Sequence, residues 1–209
     1  MPLTWIERSL LALAAILLPA TLLHAALQNP ADTPRPASLA GQILLASPGM
    51  RDPRFDHTVI LMVRHNAGGA LGIVLNHPLG ERPLASLLDA LGEKDDGITG
   101  SVRIFSGGPV QPEIGFVIHS TDYHRAATID IDGHVAVTSS PEILRDIASQ
   151  HGPQKALVAF GYAGWGAGQL EGEIGQRAWF AATADSKLIF DDDRDKLWDD
   201  AMARRTQDL

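Results

Sequence analysis

Short apolar runs rich in valine, isoleucine and phenylalanine recur through most of this 209-residue chain, and they constrain its fold more than any other feature. Runs of this kind, bounded by turn residues, predict β-strands. The pair Gly68-Gly69 predicts a turn. The dipeptide Asp132-Gly133 predicts a two-residue hairpin, because both central positions of a type I′ turn need positive φ. The predicted strands are 42–47, 58–64, 71–75, 102–106, 116–119, 127–130, 135–138, 156–161, 179–182 and 188–190.

Three other stretches have the apolar spacing of amphipathic helices. The first follows Pro83, which suits a first turn, and the second has Ser139 and Glu142 spaced as a capping box. The third follows acidic residues 191–193, which favour a helix N-terminus. Because the strands come in groups and do not alternate strictly with helices, the pattern favours an α+β fold. The apolar faces are Leu84, Leu87, Leu88 and Leu91; Ile143, Leu144, Ile147 and Ala148; and Leu197, Trp198, Ala201 and Met202.

Charge and cysteine content exclude several classes of function. The chain has 25 acidic and 17 basic residues, a net charge of -8, which makes nucleic acid an unlikely partner. The absence of cysteine excludes disulfides, thiolate nucleophiles and Cys-ligated metal centres. A hydrophobic share of 45% is enough to build a core.

The N-terminus differs from the rest of the chain. Residues 1–27 are predicted to form a signal peptide or an N-terminal membrane anchor, with possible membrane association through the apolar residues 10–27. Residues 28–38 have the composition of a Pro-rich linker, which leaves 39–209 as the folded domain. This predicts a location in the cell envelope, periplasmic or anchored to the inner membrane. The alternative is a misassigned start and a cytoplasmic protein.

The glycine-rich segment 161–168 is the first candidate for a site. Its glycines do not have the G-x-G-x-x-G spacing of a dinucleotide-binding turn. Tyr162 and Trp165 are candidate stacking groups for a ligand or partner, and Gln169 and Glu171 are polar groups beside them. The alternative is that the glycines permit tight packing around a buried Trp165.

Histidine and asparagine side chains at predicted strand ends are the second candidate. His119, Asp122 and His124 are close enough in sequence for a small metal site or an acid/base pair, although a satisfied strand-end cluster is the favoured interpretation. The pair His65-Asn66 and residue Asn76 also follow strands, where turn chemistry alone accounts for them.

Several blocks of sequence together have the pattern of a known family. Residues 39–202 resemble the bacterial YqgE/AlgH family. The resemblance implies an α+β single domain of coiled, partly bifurcated mixed β-sheets with flanking helices, and it implies no reaction. The blocks are 39–42 with 47–55; 65–66 with 69–72 and 76–78; 107–110 with 115–120; 138–140; and Gly161-Tyr162-Ala163-Gly164-Trp165-Gly166-Ala167-Gly168-Gln169-Leu170-Glu171.

The sequence departs from that family in two places, and these limit which of the family's properties can be expected of this chain. Its members often have a cysteine where this chain has Val63-Arg64, so thiol chemistry does not transfer. Members usually lack a targeting segment, so residues 1–38 are an addition. The link of some members to transcriptional regulation of alginate synthesis is a label, not a mechanism.

Three functional hypotheses follow from these residues. The first is a non-enzymatic binding or regulatory domain with an unknown protein or small-molecule partner and without metal or cofactor. The second is a cell-envelope hydrolase or metal-dependent enzyme that uses His119, Asp122 and His124. The third, a transcriptional regulator, is opposed by the negative charge and by export. Candidate binding residues are His65, Asn66, Asn76, Gly107, Gly108, His119, Tyr162, Trp165, Gln169 and Glu171.

Overall fold

The computed structural model of the chain describes residues 38–92, 97–190 and 193–205. The predicted targeting segment 1–27 lies outside the described residues, as does the linker 28–38 apart from Ser38. Across the part of the chain that is described, no helix is long and apolar enough to cross a membrane.

The described residues form ten strands, five helices and a short 3-10 turn at Pro53–Phe55. The strands are β1 (Gln42–Ala46), β2 (Val59–Asn66), β3 (Gly69–Val74), β4 (Pro78–Pro83), β5 (Ser101–Ser106), β6 (Val110–His119), β7 (Thr128–Asp130), β8 (Ala136–Thr138), β9 (Ala156–Gly166) and β10 (Trp179–Thr183). The helices are α1 (Leu84–Ala90), α2 (Glu142–Ala148), α3 (Gln169–Gly175), α4 (Ser186–Phe190) and α5 (Leu197–Ala203).

One curled sheet contains these strands and branches at β9. The strand order is β10-β1-β2-β3-β9-β6-β8-β7. The end of β9 pairs antiparallel with β3, from Ala163 to Gly166. Its beginning lies between β6, which is antiparallel, and β5, which is parallel and carries β4 on its other side. The mixed, partly bifurcated sheet with flanking helices confirms the expected fold class.

Glycines allow the backbone to approach itself closely at this branch. A Cβ on Gly107 would lie 2.3 Å from the carbonyl oxygen of Gly161. A Cβ on Gly108, where φ is +146°, would lie 2.2 Å from the carbonyl carbon of Tyr162. Gly107 and Gly108, both predicted site residues, therefore lie where the chain entering β6 crosses β9.

The central strands are buried on both faces. Side chains alternate across a strand, so Ile43 and Leu61 pack in one cluster with α4 and α5. Leu44 and Ile60 face the other side, where they pack with Trp165. A third cluster places α1 and α2 against β5, β6 and β9. Burial on both faces explains why β1 and β2 are continuous apolar runs.

Two strands are longer than predicted, since β6 begins at Val110 and not at 116 and β9 continues to Gly166 and not to 161, and two assignments differ in kind. Residues 188–190 form part of helix α4 and not a strand, and the Leu188 amide donates to Asp185 Oδ1 at 2.7 Å. Strand β4 at Pro78–Pro83 was not predicted, because all six of its residues are exposed and carry no apolar pattern.

The turns and the helix cap predicted from the sequence agree only in part with the structure. Gly68 does lie in the turn between β2 and β3, together with Ala67, whereas Gly69 is already the first residue of β3 and pairs with Asn66. Asp132-Gly133 lies in a longer connection between β7 and β8, closed by the Ile131 amide on the Val135 carbonyl at 3.0 Å, so the two-residue hairpin was wrong. The capping box was also wrong, because α2 begins at Glu142 with Pro141 as its N-cap and no side-chain cap.

Candidate functional site

A cleft of about 940 Å³ opens between three parts of the chain. The loop 47–55 after β1 forms one wall. The end of β9, with residues 109–110 beside it, forms the second. Helix α3 and residues 176–179, which lead from α3 into the start of β10, form the third. Its lining residues are Ser47, Gly49, Met50, Arg51, Asp52, Arg54, Phe55, Pro109, Val110, Gly164, Trp165, Gln169, Glu173, Gln176, Arg177, Ala178 and Trp179.

Two tryptophans form the floor of this cleft. Trp165 and Trp179 are only 7% and 3% exposed, and their rings meet edge to face at 5.8 Å. Phe55 meets Trp179 in the same way at 5.5 Å. Trp165 is therefore a buried packing residue whose edge reaches the cleft, as the tight-packing alternative predicted.

One carboxylate holds the floor together. Glu173 Oε2 accepts both indole N–H groups, from Trp165 at 2.9 Å and from Trp179 at 2.7 Å. Its Oε1 accepts the Gln169 amide at 2.9 Å, and Gln169 Oε1 accepts the Gly166 amide at 3.1 Å. The sequence-based prediction included Trp165 and Gln169 but missed Glu173. Its position four residues after Gln169, on the same helix face, was the available signal.

Three arginines line the cleft, and they differ in how they are paired. Arg54 is bound to Asp52, with Nη2 2.6 Å from Oδ2, and this hydrogen bond holds the pKa of Asp52 below its ordinary value. The guanidiniums of Arg51 and Arg177 have no hydrogen-bond or ion-pair partner among the described residues. Two guanidiniums in the cleft lining are thus not engaged by any described residue.

A buried hydroxyl lies in the wall of the cleft. Ser47 is 7% exposed, and its amide donates to the Ala178 carbonyl at 2.9 Å. Within residues 38–92, 97–190 and 193–205 its hydroxyl has no hydrogen-bond partner. A buried polar group without a partner costs about 1–3 kcal/mol, so such groups call for an explanation.

The predicted residues His65 and Glu171 form a separate pair outside the cleft lining. The Leu39 amide donates to His65 Nδ1 at 3.1 Å, so Nε2 carries the proton and donates to Glu171 Oε1 at 2.9 Å. The pKa of Glu171 is lowered, first by a hydrogen bond from its own amide and then by His65. The pair fixes the first turn of α3 to β2 and to the beginning of the domain.

Three further predicted residues have local contacts. Asn66 Oδ1 accepts the Gly68 amide at 2.8 Å. Asn76 Oδ1 accepts the Val59 amide at 2.9 Å, and its Nδ2 donates to a loop carbonyl. The ring of Tyr162 packs edge to face against Phe116, with the centroids 6.3 Å apart. Asn66, Asn76 and Tyr162 are not among the residues that line the cleft.

His119 is buried, and both of its ring nitrogens have partners. Nδ1 donates to the Ser120 carbonyl at 2.9 Å, and Nε2 accepts the Thr138 hydroxyl at 2.9 Å. Burial lowers the pKa of His119. The carboxylate of Asp122 accepts the Ser120 hydroxyl and the Gln154 amide, whereas His124 is exposed. Among the residues described, no three His, Cys, Asp or Glu side chains are grouped so that they could hold a metal ion.

Comparison with known proteins gives consistent matches over the folded part. A sequence model of the AlgH-like family matches residues 43–209. A UPF0301 protein of Rhodospirillum rubrum is 42% identical over 166 residues, 79% of this chain and 86% of that protein. A UPF0301 protein of Rhizorhabdus wittichii is 44% identical over 167 residues, 80% of this chain and 89% of that protein. These names assign no activity to either relative.

Two solved structures share the fold. The solution structure of the AlgH protein from Pseudomonas aeruginosa is similar with a TM-score of 0.70 at 38% identity, and the match covers 81% of this chain and 90% of that one. A crystal structure of a protein from Corynebacterium diphtheriae has a TM-score of 0.60 at 20% identity, covering 80% and 87%. At that lower identity the likeness concerns the fold alone.

Proposed function

The chain belongs to the AlgH-like family, as its sequence blocks predicted, and we propose that it is a non-enzymatic binding domain whose ligand site is the cleft over Trp165 and Trp179. No activity is established for the family, so the proposal depends on the geometry of this chain.

The buried hydroxyl of Ser47 carries the proposal. A hydroxyl in the wall of a cleft that no described protein group binds is available to donate a hydrogen bond to a ligand. The floor beneath it is held in place by the Glu173 carboxylate, which binds Trp165 and Trp179 at once. A site whose shape is fixed in advance loses little entropy when it binds.

The chemistry of the lining supports binding more than catalysis. Nucleophilic or acid/base catalysis needs a titratable group within reach of a nucleophile or substrate proton. The residues that line the cleft include no histidine, cysteine or lysine. Glu173 already accepts three donors and Asp52 is paired with Arg54.

A ligand screen with a blocked cleft tests this function. The full-length chain is screened by thermal shift against a panel of neutral and charged metabolites, together with Gln176→Trp, which fills the mouth of the cleft. Gln154→Trp, exposed and outside the cleft, is the control. We expect ligands that raise the Tm of wild type and Q154W but not of Q176W. Equal shifts in Q176W, or no shift for any member, would contradict the proposal.

We also propose that residues 1–27 direct the domain to the cell envelope. The apolar run and the Pro-rich linker after it are the support for this location. Mass spectrometry of the mature N-terminus, with cell fractionation, is the test. Cleavage near residue 25, or an intact N-terminus in the membrane fraction, is the expected result, and an intact chain in the cytosol would contradict it.

A further inference from the structure

The cleft is locally positive on a chain whose net charge is -8. Its lining contains three guanidiniums and two carboxylates. Arg54 and Asp52 neutralise each other, and Glu173 contributes one negative charge, with its two oxygens hydrogen-bonded to the tryptophans and to Gln169. The guanidiniums of Arg51 and Arg177 outnumber that one carboxylate, so three guanidiniums against two carboxylates leave the lining with a formal charge of +1.

We propose that the cleft binds the oxyanion group of a small ligand, a phosphate or a carboxylate, through the guanidiniums of Arg51 and Arg177 and the hydroxyl of Ser47. The proposal rests on the function proposed above and names its ligand class. A guanidinium presents a planar fork of donors that matches the oxygens of either group. Ser47, which lines the same cleft, offers a hydroxyl as a further donor.

The backbone at Arg177 is fixed by the end of α3, which sets where its side chain starts. Its φ is +59°, in the left-handed region. The Arg177 amide donates to the Ile174 carbonyl at 2.8 Å, and the Ala178 amide donates to the Glu173 carbonyl at 3.0 Å. This is the Schellman end of α3, where the left-handed position usually holds glycine. An arginine is strained there, as Gln150 is at the corresponding end of α2.

The size and the remaining polar groups of the cleft indicate a metabolite-sized ligand. Small-molecule sites occupy about 300–1,000 Å³, and the cleft lies within that range. Gln176 is exposed on its wall, and its side-chain amide has no hydrogen-bond partner in the described part of the chain. Phe55 adds a half-buried apolar edge. The ligand therefore combines an oxyanion with a polar or partly apolar body.

Titration with defined anions tests the inference. Sodium phosphate and sodium succinate are added separately to the full-length chain at constant ionic strength, and the indole N–H resonances of Trp165 and Trp179 are followed by NMR. We expect saturable shifts with at least one anion. The affinity should fall about tenfold or more in the double variant R51Q/R177Q, because charge-assisted hydrogen bonds are lost.

Matched variants separate binding from folding. R64Q/R103Q removes the same charge from two exposed positions outside the cleft and should leave the affinity unchanged. Arg177→Gly should weaken anion binding while the Tm stays equal or rises, because glycine relieves the left-handed position. Ser47→Ala should weaken binding several-fold without lowering the Tm, since its hydroxyl has no partner in the described protein.

A separate experiment with lipid vesicles tests whether a bound phosphate belongs to a lipid headgroup or to a soluble ligand. Binding to phosphatidylglycerol vesicles but not to phosphatidylcholine vesicles, lost in R51Q/R177Q, would assign the oxyanion to a lipid headgroup. Vesicle binding that is equal in wild type and variant, together with arginine-dependent binding of free anion, would assign it to a soluble ligand.

The outcomes also separate this inference from the function on which it rests. If a neutral nucleoside or sugar shifts the two indole resonances and neither anion does, the oxyanion assignment is wrong and the binding function stands. If R51Q/R177Q binds the anions as tightly as wild type, the inference is overturned. If nothing shifts the resonances, both the inference and the function are overturned.

Discussion

Glu173 joins two strands and a helix through one carboxylate. Both indole N–H groups of Trp165 on β9 and Trp179 on β10 end on its Oε2, and Gln169 occupies its Oε1. Hydrogen bonds to an ionised acceptor are stronger than neutral ones. A single side chain of α3 therefore sets the shape of the cleft floor.

We expect Glu173→Gln to lower the free energy of unfolding by about 1–3 kcal/mol. Glutamine keeps the size but has one acceptor oxygen, so its NH₂ must face either the indoles or the Gln169 amide, donor against donor. Urea denaturation measures the loss, and near-UV circular dichroism reports the tryptophans. Glu113→Gln, exposed on β6, is the control. A variant as stable as the control would mean that the carboxylate is dispensable.

The sequence predicted some of the individual residues that line the cleft but not others. Trp165 and Gln169 belong to a recognisable block and do line it. Ser47 and Arg177 were not predicted, because they are far apart in sequence and no local pattern marks them. They meet because β1 pairs with β10, where Ala46 lies opposite Trp179.

Strand β9 is the element on which the architecture depends. It is eleven residues long and has β3 along one part and β5 and β6 along the other. The end of β9 places Trp165 in the apolar cluster beneath the cleft. The beginning of β9, around Val158, lies in the apolar cluster under α1 and α2. The glycine crossing at its branch makes this double pairing sterically possible.

We expect Gly108→Ala to destabilise the protein by at least about 2–3 kcal/mol, since the new methyl meets backbone atoms and φ is +146°. Gly172→Ala is the matched control, because Gly172 lies in α3 with no atom near its Cβ position. That change should raise stability by about 0.5–1 kcal/mol. Chemical denaturation measures the free energy of unfolding of both variants. If Gly108→Ala were as stable as Gly172→Ala, the close backbone approach at Gly108 would not be a steric constraint.

Elements with buried apolar runs were predictable and exposed or very short ones were not. The runs at 42–47 and 58–64 correspond to β1 and β2, which are covered on both faces. β4 pairs with β5 through its backbone and buries none of its side chains, so its sequence carries no signal. The run 188–190 is too short to show a period, and tertiary packing places it in α4.

Across the whole molecule, the fold lowers the pKa of several histidines and carboxylates and so favours their deprotonated forms. Burial lowers the pKa of His77 and of His119 below the ordinary value of 6.5. Hydrogen bonds from Arg54 and from Ser120 lower the pKa of Asp52 and of Asp122, respectively, below 3.8. Each of these groups binds a proton more readily in the unfolded chain than in the folded one.

The free energy of unfolding should therefore fall in two stages as the pH is lowered. A group whose folded pKa is depressed stabilises the fold above its unfolded pKa, and that contribution is lost as the pH falls towards the folded value. The histidines give a first decline below about pH 6.5 and the carboxylates a second below about pH 4. Urea denaturation from pH 8 to pH 3 measures both, and stability that rises between pH 7 and pH 5 would contradict the first.

The sequence by itself determined the class of this protein: an α+β sheet built from buried apolar runs, a family marked by its glycine-rich block, and a net charge of -8 that lies on residues 39–209, because the two acidic and two basic residues before them cancel. Local patterns suffice there, because burial and turn chemistry act on neighbouring residues. Only the tertiary structure decided where Ser47, Arg51, Glu173 and Arg177 meet, since strand pairing between distant segments creates the cleft. It also separated His65 and Glu171 from that cleft, because hydrogen-bond geometry is a property of the packed chain and not of the sequence pattern.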